Sequence, residues 1–266
     1  MYLLFDIGGT YSRFAASPDG QTLGTVEKIS TPKNFDEAML AFSKLVGTLC
    51  RGEKIERAVG CSVGPLDTEK SHILNAPNLP DWNHKPLRDT LEKMCGCPVI
   101  IENDADLAGI GEATFGAGKG KSIVVYYTIS TGVGGTRIVD GKIDVNRFGM
   151  EPGQQIIDPY DPTGHLEGLV SGTAIEKHYG KKASKIKDAT IWDKVAHHLA
   201  LGLHNSIVHW SPDIVILGGS VMKSLSSEKV HTELKSIMKI FPGVPPIVEA
   251  RLDEPALYGA LALLKK

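Results

Sequence analysis

Cysteine is scarce in this chain, its charge is nearly balanced, and no long apolar run interrupts it. Four cysteines among 266 residues are too few for a disulfide framework and point to a reducing cytoplasm. The formal net charge of -2, from 29 basic and 31 acidic residues, gives no sign of a nucleic-acid or membrane-surface protein. The longest apolar stretch, residues 123–129, is far short of the ~20 residues that span a bilayer and holds two tyrosines. No charged-then-apolar leader precedes the strand-like YLLFDI at residues 2–7, so a cytoplasmic protein is expected. Metal-ligand spacing is missing too. Cys95-Gly96-Cys97 is one pair without a second nearby, and the nine histidines show no ligand pattern. A P-loop is excluded: in the segment from Gly116 to Ser122, Phe115 stands where a Walker sequence needs glycine, and the segment runs into a strand. The same segment lacks the third glycine of a dinucleotide fingerprint and reads as an exposed basic loop. No Gly-x-Ser-x-Gly elbow occurs.

What is abundant is glycine, 29 residues against a usual ~7%. Apolar residues make up 42% and charged residues 23%, the balance of a folded globular protein. Periodicity then orders the chain. Strands are predicted at 2–7, 13–16 and 23–29, followed by a helix capped by Asn34 with Glu37 as partner. Phe35, Met39, Phe42, Leu45, Val46 and Leu49 form its apolar face. Strands at 58–63 and 99–102 flank a helix over 86–94. The second half repeats the plan: a strand at 122–129, a glycine turn at 132–135, a return strand at 136–140, and a long helix over 191–210. Ile191, Val195, Leu199, Leu203 and Ile207 give that helix an i, i+4 stripe. A strand at 213–217, a helix at 230–240, a strand at 247–251 and a helix at 255–264 complete the chain. Two α/β lobes are expected, 1–105 and 106–253, joined closely around a cleft, with the last helix (254–266) packed back on the first lobe.

Three turns follow apolar strands: Asp6-Ile-Gly-Gly-Thr10, Ser130-Thr-Gly-Val-Gly-Gly135 and Gly218-Gly-Ser220. Glycine lets backbone N–H groups approach an anion, and Thr10, Ser130 and Thr131 add hydroxyl donors. Any one could be a plain strand turn; three in order favour phosphate binding. Asp6 ends its strand at the first turn, where a carboxylate can hold Mg²⁺ through water; the alternative is a turn-stabilising aspartate. Glu102-Asn103-Asp104-Ala105-Asp106 follows another strand. Asp104 either caps the next helix or acts as a general base, since an ordinary carboxylate suffices when the alcohol turns acidic late in phosphoryl transfer. Asn103 beside it is placed to bond a substrate hydroxyl. Trp82 and Trp210 are expected to fill core space.

The order DIGGT, NAPNLPDWNHKPLRDTLE, ENDAD, TGVGG, LEGLVSG and GG after a strand resembles a ROK-family sugar kinase of the glucokinase or N-acetylhexosamine kinase type, over residues 2 to about 262. The resemblance implies an actin-like, ribonuclease H-like duplicated fold that binds ATP and Mg²⁺ between two lobes and phosphorylates a sugar hydroxyl. By the same resemblance Asp104 is the catalytic base and Asp6 the acid near Mg²⁺. Gly8, Gly9 and Thr10 form the first phosphate turn, Thr131, Gly132 and Gly134 the second, and Gly218 and Gly219 lie near the adenosine. Asn103, Glu151 and Glu167 match sugar-hydroxyl ligands, and Gly64 and Asn78 lie in segments lining the sugar side. A homodimer is common in such proteins.

The sequence also departs from that pattern. The family's Glu-Ile-Gly-His, whose histidine binds sugar and structural zinc, is here Glu151-Pro152-Gly153-Gln154. The family's cysteine cluster is replaced by a segment ending Thr163-Gly164-His165-Leu166-Glu167. Glutamine is a poor zinc ligand, so no structural zinc is expected, and the identity of the sugar is open. Two alternatives to a kinase stay open: a sugar-sensing regulator on the same fold, and an actin-like ATPase with another substrate. A DNA-binding repressor would carry a preceding helix-turn-helix, whereas the first phosphate strand starts here at residue 2.

Overall fold

The computed structural model describes residues 1–76, 79–147 and 149–265. In chain order the elements are β1 (Tyr2–Ile7), β2 (Tyr11–Ser17), β3 (Val26–Ser30), α1 (Phe35–Leu49), β4 (Arg57–Ser62), α2 (Leu87–Cys95), β5 (Val99–Glu102) and α3 (Asp104–Phe115). There follow β6 (Ile123–Ile129), β7 (Val133–Val139), β8 (Lys142–Ile143), α4 (Leu166–Val170), α5 (Gly172–Tyr179), α6 (Ala189–Trp210), β9 (Ile214–Gly218), α7 (Ser227–Ile237), β10 (Ile247–Glu249) and α8 (Pro255–Leu264). The chain divides into two compact units, Met1–Gly111 with Leu252–Lys266, and Glu112–Arg251.

Each unit is built on one mixed sheet. The first has strand order β3-β2-β1-β4-β5; the second, read from its far edge, is β8-β7-β6-β9-β10. In both, the first two pairings are antiparallel and the last two parallel. Short turns connect the antiparallel strands, whereas parallel neighbours need long crossovers, here supplied by helices. The duplicated ribonuclease H-like plan is therefore written into the strand order.

The helices form where the sequence caps them and where one face is apolar. Asn34 accepts the Glu37 N–H at 3.0 Å, and Asp36 and Glu37 place negative charge at the start of α1. Phe35, Ala38, Met39, Phe42 and Val46 bury its inner face. Phe42 meets Phe14 of β2 at 4.9 Å between ring centroids, and Phe35 meets Trp82 edge-on at 5.3 Å. Such pairs add about 0.5–1.5 kcal/mol each beyond area burial. Trp82 is wholly buried, so it is core. In the second unit, Val195, Leu199, Leu203 and Ile207 of α6 are buried with Val125 and Tyr127 of β6 and Val215 and Leu217 of β9, and Trp210 packs on the same cluster. Back in the first unit, α8 and α3 cross with almost no gap: a Cβ on Gly259 would lie 1.8 Å from the Leu107 carbonyl oxygen, and one on Gly111 would lie 2.2 Å from that of Pro255.

Two strands start three residues away from the sequence reading. The third strand starts at Val26 rather than at 23, because the Gly24 amide turns back to the Ala16 carbonyl at 3.2 Å. The return strand after β6 starts at Val133, not at 136. Register pairs Ile129 with Val133, so the connection is only Ser130 to Gly132, and Gly134 and Gly135 lie inside β7. Gly135 is required there by packing, since a Cβ would sit 2.7 Å from the Pro152 side chain.

Candidate active site

In the first unit the predicted residues gather at the carboxyl ends of β1, β4 and β5. The parallel register places Asp6 level with Cys61, and Cys61 level with Glu102. Asn103 and Asp104 follow one and two residues later, and Gly64, with φ +75°, lies two residues past the end of β4. Ligands of open α/β sheets bind at this end of the strands. On the other side of β1, the hairpin places Arg13 opposite Asp6.

Asp6 is accordingly held from both neighbours. The Arg13 guanidinium donates to Oδ2 at 3.2 Å and the Cys61 thiol to Oδ1 at 3.4 Å. Arg13 is itself paired with Glu254 at 3.0 Å. Burial pushes the Asp6 carboxyl above its ordinary pKa, and the Arg13 charge opposes that shift. Burial, with the charges of Asp6 and Asp104, pushes the Cys61 thiol well up, so it stays a neutral donor.

Asp104 is the first residue of α3, and Asn103 takes the capping role that was the alternative reading of Asp104. Asn103 Oδ1 accepts the Ala105 N–H at 2.8 Å and the Asp106 N–H at 3.3 Å. Its amide nitrogen is not used in these bonds. Among the described residues Asp104 accepts only from its own turn, Ala105 N–H to Oδ1 at 2.7 Å. Its side chain opens to solvent yet is ringed closely by protein. That surrounding mass raises its pKa, and the charges of Asp6 and Asp106 raise it further.

The turn between β1 and β2 owes its shape to residues the sequence reading passed over. The Gly8 carbonyl accepts the Thr31 hydroxyl at 2.6 Å, the Gly9 carbonyl accepts Lys33 Nζ at 3.1 Å, and the Thr10 carbonyl accepts the Thr31 N–H at 2.9 Å. In a trans peptide the N–H points opposite to its C=O. The amides of Gly9, Thr10 and Tyr11 therefore face away from Thr31 and Lys33. A Cβ on Gly8 would lie 2.6 Å from the Tyr11 carbonyl oxygen, so the first position must be glycine.

The second unit repeats the device. The Ser130 carbonyl accepts the Gly172 N–H at 2.7 Å, and the Thr131 carbonyl the Thr173 N–H at 3.3 Å, both from the start of α5. The amides of Thr131 and Gly132 are thereby turned the other way. Glu167 Oε2 accepts the Val133 N–H at 2.8 Å, and a Cβ on Gly132 would come within 2.5 Å of that oxygen. Gly218 ends β9 level with Thr128, and Gly219, at φ +96°, lies against the Ile129 backbone. Glu151 and Gln154 are exposed at a short 3-10 turn, Pro152–Gln154, whose Gly153 packs on the Val133 carbonyl. Thr131 and Gly132 thus form the β6–β7 turn, Glu167 and Gly219 lie against it or its flanking residue, and Glu151 and Gln154 flank a 3-10 turn that packs on β7. Gly134 does not belong to that turn: it lies within β7, paired with Thr128. Asn78 falls outside the described residues.

Arg13 and Cys61 were legible in principle, because both are register partners of Asp6. Thr31 and Lys33 carried no local signal.

Comparison with known proteins places these features in context. A sequence profile described as the ROK family matches residues 2–266. The glucokinase of Thermotoga maritima is 28% identical, over 98% of this chain and 96% of its own. The structure of a ROK hexokinase from Thermus thermophilus superposes with a TM-score of 0.87 at 27% identity, covering 98% of this chain and 97% of that one. That of a ROK-family glucokinase from Streptomyces griseus, in complex with glucose and AMPPNP, gives 0.81 at 26% identity, covering 98% of each chain.

Proposed function

The chain belongs to the ROK family and is an ATP-dependent sugar kinase, and we propose that Asp104 is its catalytic base. The observation that carries this assignment is the placement of Asp104. It is a carboxylate whose only described bond is to its own turn, at the carboxyl ends of the parallel strands β1, β4 and β5, in the same unit as the outward-turned amides of the β1–β2 turn and a second acid, Asp6. In the proposed reaction the amides of Gly9 and Thr10, and those of Thr131 and Gly132, hold ATP phosphates. Gly218 and Gly219 lie toward the adenosine. Glu151, Glu167, Asn103 and Gln154 bind sugar hydroxyls and align one of them with the γ-phosphate, which is catalysis by positioning. Asn103 does so through its amide nitrogen, because its oxygen caps α3. Asp104 accepts the proton of the attacking hydroxyl, a contribution of about 10²–10⁴-fold.

The donor set fits Mg²⁺. Asp6 offers hard carboxylate oxygens, and the mutual repulsion of Asp6 and Asp104 is what a divalent cation relieves. Asp6 would hold the ion through water, and the ion would supply charge neutralisation to the phosphates. The donor set of residues 152–166 does not fit zinc: the segment has no cysteine and one imidazole, His165, and Gln154 is exposed.

No helix among the described residues is long and apolar enough to cross a membrane; a cytoplasmic location is part of the proposal, supported by the use of ATP. The test is ADP release with and without a panel of hexoses and N-acetylhexosamines, in wild type and Asp104→Asn. Sugar-stimulated release that falls by about 10²-fold or more in the variant, with sugar binding intact, supports the assignment. Near-normal turnover in Asp104→Asn refutes it, and sugar-independent release favours an ATPase.

A further inference from the structure

We infer that Gln155 is a positioning residue for sugar recognition: its side-chain amide fastens the turn bearing Glu151 and Gln154, and its carbonyl fastens the helix bearing Glu167. The inference rests on the proposed sugar-binding roles of those residues. Gln155 Nε2 donates to the Pro152 carbonyl at 2.9 Å and to the Tyr127 hydroxyl at 3.1 Å, with Ser206 Oγ at 3.5 Å. Tyr127 and Ser206 share a further hydrogen bond of 2.6 Å in the core beneath. Tyr127 is fully buried, and burial pushes its pKa up to about 12, so the hydroxyl stays neutral. The donor–acceptor chain is consistent in one direction: Tyr127 donates to Ser206 and accepts from Gln155.

The main chain of Gln155 works the other way. Its carbonyl accepts the Leu166 N–H at 2.8 Å, which fixes the first turn of α4 one residue before Glu167. From there Glu167 reaches the Val133 amide. A single residue therefore couples three pieces: the 3-10 turn, the α4 start and, through Glu167, the β6–β7 connection. No metal ligand takes part in these bonds.

Glutamine is specifically required. Leucine has similar bulk but no donor, and glutamate would face the Pro152 carbonyl with a second acceptor. The experiment compares wild type, Gln155→Leu, Gln155→Glu and Tyr127→Phe in the full chain, measuring KM for glucose or whichever panel sugar stimulates wild type, KM for ATP, kcat and melting temperature. Expected is a rise in sugar KM of about tenfold or more in both Gln155 variants and a smaller rise in Tyr127→Phe. The ATP KM should stay within about twofold, and saturating sugar should restore kcat. Treating wild type with a chelator, then restoring Mg²⁺, should leave its sugar KM unchanged. An unchanged sugar KM in folded Gln155→Leu overturns the inference. So does a parallel rise of both KM values with a lower melting temperature, or a chelator-induced rise in wild type. If Gln155→Leu fails to fold, Gln155→Glu and Tyr127→Phe decide by the same split. Wild type that no sugar stimulates would instead sink the functional reading on which the inference rests.

Discussion

Substituting Gly132 by alanine perturbs one contact that joins a proposed phosphate amide turn to a proposed sugar ligand. The added Cβ would lie 2.5 Å from Glu167 Oε2 and 3.3 Å from its Cδ. To reach ordinary contact at 3.4 Å the carboxylate must retreat by roughly 0.9 Å. A retreat of that size directed away from Val133 stretches the 2.8 Å bond from its N–H beyond hydrogen-bond length. A hydrogen bond to a charged group is worth about 1.5–3 kcal/mol. Glu167 is only half-buried, so the lower end applies to the carboxylate. Val133, by contrast, is buried, and its amide loses its partner. A loss of about 2 kcal/mol follows, which lowers the melting temperature by roughly 4–8 °C. The displaced carboxylate should also raise sugar KM about tenfold. The assay pairs thermal melting with coupled ADP release. Glu167→Gln is the control, because its side-chain oxygen still accepts from Val133: the melting temperature should hold while sugar binding falls. A Gly132→Ala protein with wild-type melting temperature and sugar KM would refute the reasoning.

Four further outcomes follow. Asp104 has a raised pKa from its protein surroundings and from Asp6 and Asp106, so kcat/KM for sugar should fall on acidification at a pH above the usual carboxylate range; a limb at or below ~4 would contradict this. The stability effect has the opposite sign. Holding Asp104 ionised costs stability at neutral pH, that cost disappears as pH falls through its folded pKa, and Asp104→Asn should melt higher than wild type at pH 7. Thr31→Val removes the hydroxyl that holds the Gly8 carbonyl at 2.6 Å and Ser12 at 2.8 Å, so it should cost about 1–2 kcal/mol in urea unfolding and raise ATP KM while sparing sugar KM. Asn34→Ala removes the α1 cap at Glu37 and the 3.1 Å bond to Asp81 and should lower stability by about 1 kcal/mol, with KM values unchanged.

Much of the fold was legible because its signals are local. The Asn34 cap, the α6 stripe and the buried strands 99–102 and 2–7 follow from spacing alone, and the structure reproduces them. The β6–β7 connection was less legible. Glycine marks a turn in sequence, yet Gly134 and Gly135 serve the packing of β7, a tertiary demand without a local signature. In the site, the residue types that bear chemistry stood out: acids after strands, glycines and hydroxyls at turns. The residues that aim them did not. Thr31 lies 23 positions from Gly8, and Ser206 lies 79 from Tyr127; such partners depend on the crossovers, which periodicity does not encode.

The loop after the Pro152–Gln154 turn has a consequence for biosynthesis. Ile157 and Asp158 donate to the Gly164 carbonyl at 2.7 and 2.9 Å, Gly164 to the Asp161 carbonyl at 2.8 Å, and Thr163 to the Asp161 side chain at 2.7 Å. Each bond joins positions at most seven apart, so the loop can close as it leaves the ribosome, before any later segment of the chain is made.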